Sequence, residues 1–226
     1  LSSSSAASDV YKRQLLIYSG GMDSSTLLYD LLSQGHEVSA MSFNYKQRHG
    51  KELLAAEKVA ALAGVPWELI DLSSVAPLLS GSSQSDLSVP VPVGRYDEPS
   101  MKQTVVPNRN MIMLAVAGAA AIARTMDAVV YGAHAGDHAI YPDCREPFVK
   151  AMASALDVCD WHRLQLLAPY LTWTKGDICK RGIELHVPFA ETWTCYVGDT
   201  HPCGQCGACT ERAEAFAFAN AVDPLL

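Results

Sequence analysis

Short apolar runs alternate with amphipathic stretches along most of the chain. A short apolar run predicts a buried strand, and apolar residues three or four positions apart predict a helix. The predicted strands are residues 15–18, 38–44, 67–72, 128–132 and 164–168, and the predicted helices are residues 24–33, 50–63, 110–126, 148–158, 175–185 and 210–220. This alternation indicates an α/β fold with a doubly wound, Rossmann-like parallel sheet of about five strands.

Two segments interrupt the alternation. Residues 73–104 are rich in Ser, Pro and Gly, and a loop of this length in a compact domain is typical of an active-site lid. We therefore predict that residues 78–104 close over a bound ligand. The first 14 residues are low in complexity and end in a stretch that resembles a translated sequencing adapter. We predict that residues 1–14 are foreign to the protein.

The net charge of the chain is −7. Binding to a nucleic-acid backbone requires a basic surface, so this charge argues against stable nucleic-acid binding. The longest apolar stretch, residues 111–123, ends at Arg124 and is too short to cross a bilayer, so no membrane span is predicted. We expect the protein to be cytoplasmic.

Four of the seven cysteines lie near the C-terminal end of the sequence. Cys195, Cys203, Cys206 and Cys209 follow the pattern C-x7-C-x2-C-x2-C. Four thiolates can surround Zn²⁺ tetrahedrally and leave no open position, so the pattern predicts one structural zinc ion. An iron–sulfur cluster uses the same four ligands and is the main alternative. We therefore predict a domain of residues 15–190, with a zinc-binding segment and C-terminal helix, residues 191–226, packed on it.

The turn after the first predicted strand reads Ser19-Gly20-Gly21-Met22-Asp23-Ser24-Ser25 and precedes a helix. Glycines let the backbone approach an anion, and the helix N-terminus adds partial positive charge, so the turn is a candidate phosphate loop. It is not a Walker A loop, because it lacks the lysine of that motif. The alternative is a plain strand–helix turn in which Asp23 or Ser24 caps the helix.

The stretch SGGMDS resembles the signature of the PP-loop ATP pyrophosphatases, which share the adenine nucleotide alpha hydrolase fold. The resemblance implies cleavage of ATP between its α- and β-phosphates, with transfer of AMP to an oxygen of the substrate. It also implies a role for Asp23, since Mg²⁺ binds carboxylates and phosphate oxygens together. Some sulfur-transfer members of this superfamily use a cysteine pair in redox catalysis, which is a further alternative for the C-terminal cysteines.

Further motifs narrow the resemblance. They are NYKQRH at 44–49, VPNRN at 106–110, GAH at 132–134, DHAIYPDCR at 137–145 and TCY at 194–196. With SGGMDS and the four cysteines, they resemble the QueC family of 7-cyano-7-deazaguanine synthases over about residues 15–220. The resemblance implies an ATP-dependent ligase that converts 7-carboxy-7-deazaguanine and ammonium to the nitrile preQ0, in the biosynthesis of queuosine or archaeosine. A homodimer is one option for its assembly.

Candidate site residues follow from these motifs. Ser19, Gly20, Gly21, Met22, Asp23, Ser24 and Ser25 are predicted to hold ATP, and Arg48, Arg109, Asp143, Arg145 and Lys175 are predicted to act in catalysis together with Asp23. Arginines are permanent cations that can neutralise pyrophosphate or the substrate carboxylate, and Asp143 can accept hydrogen bonds from a guanine-like edge. Each has a structural alternative: a surface salt bridge for the arginines, an ion pair between Asp143 and Arg145, and a solvated helix start for Lys175.

Other functions compete with this one. Another PP-loop synthetase, or a tRNA-modifying PP-loop enzyme, would also adenylate a carboxylate or carbonyl group. From a different class, the four cysteines can form a zinc ribbon that binds nucleic acid or protein. Only Arg212 lies near the cysteines, while Asp199 and Glu211 flank them, so the local charge disfavours a ribbon that binds nucleic acid.

Overall fold

The computed structural model describes residues 13–94 and 99–225. Within these ranges, parallel strands alternate with helices, as the sequence predicts. The strands are β1 (Arg13–Ile17), β2 (Glu37–Asn44), β3 (Trp67–Asp71), β4 (Ala128–Val130) and β5 (Gln165–Leu167), and the helices are α1 (Met22–Ser33), α2 (Lys51–Leu62), α3 (Arg109–Ala123), α4 (Glu146–Val158), α5 (Lys175–Glu184) and α6 (Gly207–Phe218). Each predicted strand and helix is present, with ends displaced by a few residues.

The five strands form one parallel sheet in the order β3-β2-β1-β4-β5. Chain connections run outwards from β1 in both directions, so the switch point of this doubly wound sheet lies between β1 and β4. In open α/β sheets the ligand crevice lies at the carboxyl ends of the strands beside this point. The turn that follows β1 and the turn that follows β4 therefore meet at the expected crevice.

Strand β1 begins two residues earlier than predicted. Arg13 and Gln14 pair with Glu37 and Val38 of β2, and Gln14 also pairs with Ala128 of β4. These two residues belong to the predicted foreign segment, and they occupy regular strand positions. Residues 1–12 of that segment lie outside the described residues.

Helices cover both faces of the sheet because side chains along β1 point alternately to each face. Leu15 belongs to a core formed with α3 and α4, which includes Leu114. Leu16, the next residue, belongs to a second core formed with α1 and α2, which includes Leu27 and Val59. This arrangement fixes β1, and with it the turn that begins at residue 18, in the centre of the molecule.

The C-terminal part of the described chain packs beside α1 and α5. Met22 of α1, Cys179 of α5 and Phe216 of α6 share a small buried cluster with Phe189. The division into residues 15–190 and 191–226 stays a prediction. Among the described helices, none combines the length and the apolar content that crossing a bilayer requires.

The predicted lid is partly buried. Ser82, Ser83 and Gln84 are each at most 1% exposed, and the backbone N–H of Ser83 donates to the carbonyl oxygen of Gln103 (2.7 Å). These residues are packed inside the molecule, and closure of residues 78–104 over a bound ligand stays a prediction. Residues 95–98 lie outside the described part of the chain.

Candidate active site

The phosphate loop joins β1 to α1 at the switch point of the sheet. Gly20 has a φ of +77°, a conformation that glycine adopts without steric cost. A Cβ atom at Gly20 would lie 2.4 Å from the backbone nitrogen of Ala56 in α2. The loop therefore rests directly on α2, and only glycine fits at this position.

Helix α1 begins without a side-chain cap. Its N-cap is Gly21, and no side chain bonds to the N–H groups of the first turn. The alternative that Asp23 or Ser24 caps the helix is therefore wrong. N–H groups in a first helical turn have no acceptor within the helix, and together with the helix dipole they favour an anion.

The hydroxyl groups of the loop face different ways. The Oγ atoms of Ser19 and Ser24 lie 3.1 Å apart, and both residues line a cavity beside the loop. The Ser25 hydroxyl is hydrogen-bonded to the Tyr18 hydroxyl (2.9 Å) in the interior. The Met22 side chain is fully buried, so of this residue only the backbone N–H is placed to meet a phosphate.

Charged side chains gather beside the loop. The Nζ atom of Lys175, the first residue of α5, lies 3.0 Å from Asp23 Oδ2 and 2.7 Å from Glu211 Oε2. Nε2 of His134 lies 3.8 Å from Asp23 Oδ2 and 3.5 Å from Asp137 Oδ2. All five residues line the same cavity.

The pKa values of this cluster reflect its mixed charge. Burial acts to raise the pKa of Asp23, but the positive charge of Lys175 and the imidazole of His134 lower it overall. Burial likewise opposes the charge of Lys175, and the carboxylates of Asp23 and Glu211 raise its pKa above the ordinary value. Lysine and aspartate are therefore both ionised at neutral pH.

The other half of the cavity is largely aromatic. Its described walls are Phe43, Tyr45, Met113, Tyr131 and the side chains of Arg109 and Asn110. The guanidinium carbon of Arg109 lies 5.9 Å from the centre of the Tyr141 ring, and the side chain also forms a hydrogen bond with Tyr45, another wall of the cavity. A planar heterocycle with a carboxylate fits this combination, since rings stack on aromatic walls and arginine binds carboxylates through two hydrogen bonds.

Arg48, Asp143 and Arg145 are absent from the described residues that line the cavity. Arg48 donates to the carbonyl oxygens of Ser83 (2.7 Å), Asp86 (3.0 Å) and Val89 (2.8 Å). The guanidinium thus fastens the loop after β3, and the prediction that it faces the crevice is wrong.

Neither Asp143 nor Arg145 lines the cavity, and among the described residues no hydrogen bond or ion pair joins their two side chains. Asp143 Oδ2 accepts a hydrogen bond from the backbone N–H of Asn110 (3.3 Å), and its other carboxylate oxygen is buried without a partner among the described residues. Arg145 donates to the carbonyl oxygen of His138 (2.7 Å). Both have structural partners, and their catalytic roles stay predictions.

Sequence reasoning missed Glu211 as a residue of this cavity. Its position two residues after Cys209 suggested only a flank of the metal site. The helical spacing that turns it towards Lys175 depends on how α6 packs, for which the sequence holds no signal. Asp137 and Tyr45 were also missed, although each lies within a motif after a strand of the sheet.

The four C-terminal cysteines form a compact cluster. Their sulfur atoms all lie within 4.8 Å of one another, and those of Cys203 and Cys209 are 4.0 Å apart. Backbone N–H groups of Gly198 (3.0 Å) and Cys203 (3.2 Å) donate to Cys195 Sγ. Hydrogen bonds from Cys206 and Cys209 hold the pKa of the Cys195 thiol well below its ordinary value.

This geometry fits one zinc ion. With Zn–S bonds of about 2.3 Å, a tetrahedral site separates its sulfurs by about 3.8 Å. Sulfurs this close surround a single ion and leave no room for several iron atoms, so the iron–sulfur alternative is disfavoured. With four thiolates and no open position, the zinc is structural.

Comparison with known proteins agrees with this site. Residues 13–220 match the family model described as "Queuosine biosynthesis protein QueC". The chain is 54% identical to the 7-cyano-7-deazaguanine synthase of Methanoregula boonei, over 94% of this chain and 98% of the relative. It is 50% identical to that of Caldicellulosiruptor bescii, over 94% and 96%.

A solved structure supports the fold alone. NMN synthetase from Francisella tularensis superimposes with a TM-score of 0.51 at 11% identity, over 93% of this chain and 84% of that one. The family model, by contrast, covers the sheet, the phosphate loop and the four-cysteine cluster described above. With close relatives aligned over nearly their full lengths, the chain belongs to the QueC family of queuosine biosynthesis proteins.

Proposed function

We propose that this protein is a 7-cyano-7-deazaguanine synthase. It converts 7-carboxy-7-deazaguanine and ammonia to 7-cyano-7-deazaguanine, with ATP as the activating substrate. The observation that carries the proposal is that one cavity is lined by the phosphate loop, by aromatic side chains and by Arg109. The names of the relatives, 7-cyano-7-deazaguanine synthases at 50–54% identity, support the same substrate.

The reaction needs the carboxylate to be activated, because it has no good leaving group. A carboxylate oxygen attacks the α-phosphorus of ATP, and pyrophosphate leaves to give an acyl adenylate. Ammonia attacks the acyl carbon, AMP leaves, and loss of a proton gives the amide. The amide oxygen then attacks the α-phosphorus of another ATP, and pyrophosphate leaves to give an adenylated imidate. Loss of AMP and of both N–H protons gives the nitrile.

The residues of the cavity fit these steps without a covalent enzyme intermediate. Ser19, Ser24 and the N–H groups of the first turn of α1 hold the phosphates, and Lys175 offsets their charge. Arg109 holds the substrate carboxylate against the α-phosphate, which supplies proximity. Asp23, with one buried carboxylate oxygen that has no partner among the described residues, would hold the Mg²⁺ that neutralises the departing pyrophosphate.

One assay tests the function. The protein is incubated with 7-carboxy-7-deazaguanine, ATP, Mg²⁺ and ammonium, and both nucleotide and deazapurine are followed by mass. We expect AMP, with the amide forming before the nitrile. Absence of both deazapurine products would refute the assignment, and ADP in place of AMP would refute adenylation. Asp23→Asn should lower the rate of AMP release sharply, since it removes the charge that holds the metal.

We further propose that the protein works in the cytoplasm as a homodimer on free small molecules, without stable binding to nucleic acid. The net charge of −7 supports the last point. Exposed apolar residues at the end of α4, Val158 and Trp161, support self-association. Light scattering of the purified protein tests the dimer, and a filter-binding assay with bulk tRNA at low salt tests the absence of nucleic-acid binding.

A further inference from the structure

Glu211 reaches the active-site cavity from the helix that carries the zinc ligands. Its Oε2 atom lies 2.7 Å from Lys175 Nζ, and its side chain is 11% exposed. The Lys175 side chain is 10% exposed, and its other carboxylate partner is Asp23 at 3.0 Å. One ammonium group is therefore shared between a carboxylate of the phosphate loop and a carboxylate of α6.

Helix α6 is fixed on both sides of Glu211. Cys206 is the N-cap of α6, and Cys209 lies in its first turn, so two zinc ligands hold the helix start. The residue after Glu211, Arg212, is 2% exposed and donates to both carboxylate oxygens of Asp223 (2.6 and 2.8 Å). It also donates to the carbonyl oxygen of Phe189 (3.0 Å). Glu211 has little freedom to move away from Lys175.

The two partners of Lys175 are not equivalent once ATP binds. In the proposed function Asp23 holds Mg²⁺, and a carboxylate that binds a cation no longer pairs fully with an ammonium group. The proposed Mg²⁺ site does not include Glu211, so the contact of Glu211 with Lys175 is kept when the metal binds. Lysine has three donors, so an ammonium group held by Glu211 keeps donors free for a phosphate oxygen.

We propose that Glu211 is a positioning residue for ATP binding. It holds the Lys175 ammonium beside the phosphate loop and shares it with Asp23, so that Lys175 does not pair with Asp23 alone and the other carboxylate oxygen of Asp23 stays available to the metal. The zinc cluster contributes to this arrangement by fixing the start of α6. The inference rests on the proposed function for the identity of the metal-bound ligand, and it adds a residue that none of the motifs includes.

Substitution of Glu211 by glutamine tests the proposal. The variant Glu211→Gln keeps the shape of the side chain and removes its charge, so Lys175 pairs with Asp23 alone and competes with Mg²⁺. We expect the affinity for a non-hydrolysable Mg·ATP analogue, measured by calorimetry, to fall about tenfold or more. In turnover the KM for ATP rises, while the KM for the deazaguanine substrate stays within about twofold of the wild-type value.

The control is Glu214→Gln, which makes the same change on the exposed side of the same helix. It should leave both KM values and the analogue affinity unchanged. Zinc content, measured by mass spectrometry of the metal, should stay at one per chain in both variants. A Glu211→Gln protein that binds zinc and the analogue like wild type would overturn the proposal.

A double-mutant cycle separates positioning from general stability. If Glu211 acts through Lys175, then Glu211→Gln has no further effect on analogue affinity in a Lys175→Gln background. An equal, additive loss in that background would overturn the proposal. Analogue binding does not require the deazaguanine, so these results stand even if the wild-type protein forms no nitrile. Failure of the inference and failure of the proposed function are therefore distinguishable.

Discussion

Gly20 shows how closely the phosphate loop depends on single residues. Its φ is +77°, and a side chain there would press on the α2 backbone. Gly35 has a similar φ of +83°, but nothing lies within 4 Å of its Cβ position. The two glycines share a backbone conformation and differ only in what surrounds them.

We predict that Gly20→Ala abolishes measurable binding of the ATP analogue. The added methyl group forces the loop away from α2, because the atoms it meets belong to backbone that cannot rotate aside. Gly35→Ala carries the left-handed strain of about 1–2 kcal/mol alone and should bind the analogue like wild type. Calorimetry measures binding, and thermal unfolding measures the strain. Equal binding by both variants would contradict the predicted contact.

Arg48 and Arg109 were both predicted to act in the active site. Among them only Arg109 lines the cavity, whereas Arg48 binds carbonyl oxygens of the loop after β3. We predict that Arg109→Gln raises the KM for 7-carboxy-7-deazaguanine about tenfold or more, since a bidentate partner of the carboxylate is lost. Arg48→Gln should leave that KM nearly unchanged and lower the free energy of unfolding by about 1–3 kcal/mol, because partly buried carbonyl oxygens lose their donors. Steady-state kinetics and urea unfolding measure the two effects.

Motifs locate residues at the crevice but do not fix where long side chains point. Asp23 and Lys175 were predicted to act at the phosphate loop, and both line the cavity because each lies in the first turn of a helix at the carboxyl edge of the sheet. Arg48 follows a strand at the same edge, yet its guanidinium turns to the carbonyl groups of residues 83–89. The side chain takes this direction because these carbonyl oxygens accept its hydrogen bonds. They belong to a loop that is far from Arg48 in the sequence.

At the scale of the element, α5 begins with a capping box directly before Lys175. The Thr174 hydroxyl accepts a hydrogen bond from the Asp177 N–H (3.2 Å), and Asp177 Oδ2 accepts from the Thr174 N–H (3.0 Å). Hydrogen bonds from the Thr174 side chain and backbone lower the pKa of Asp177. The box fixes the helix start and, with it, the stem of Lys175.

We predict that Asp177→Asn lowers the free energy of unfolding by about 1 kcal/mol at neutral pH. The folded pKa of Asp177 is below its unfolded value of about 3.9, so its contribution is complete above that value. The contribution is lost as the pH falls through the folded pKa. The difference between wild type and variant, measured by urea unfolding, should therefore shrink under acid conditions. A difference that grows on acidification would contradict the assignment.

The order of strands and helices was predictable because apolar periodicity reflects burial on each face of the sheet. The burial of the segment after β3 was not predictable from the sequence, since residues 82–84 carry small and polar side chains typical of exposed loops. They are buried because Arg48 and the residues near Gln103 satisfy their backbone groups. Whether these backbone groups find hydrogen-bond partners depends on contacts between distant segments. The periodicity of apolar residues along the chain does not indicate such contacts.

At the scale of the whole molecule, the zinc cluster and the active site are one structural unit. Trp193, two residues before the first zinc ligand, donates its backbone N–H to the carbonyl oxygen of Gly20 (3.0 Å). Glu211 contacts Lys175 from the helix that begins at the cluster. We therefore expect loss of the metal to disturb both the hydrogen bond to Gly20 and the position of Lys175.

We predict that Cys203→Ser lowers the melting temperature by roughly 10 °C or more and weakens analogue binding in parallel. A thiolate ligand is lost, so the start of α6 is released and Glu211 moves with it. Cys159→Ser is the control, because Cys159 is exposed and does not belong to the group of four clustered cysteines. Calorimetric scans and zinc analysis measure the change. A zinc-free protein with wild-type affinity for the analogue would contradict the coupling.

The hydrogen bond between Trp193 and Gly20 also sets an order of events during synthesis. The ribosome makes the phosphate loop before it makes Trp193, the four clustered cysteines and Glu211. Domains fold from the N-terminus as they emerge, yet this loop has partners that are translated much later. We therefore expect a growing chain to carry an incomplete nucleotide site until α6 has left the ribosome and the cysteines have bound zinc.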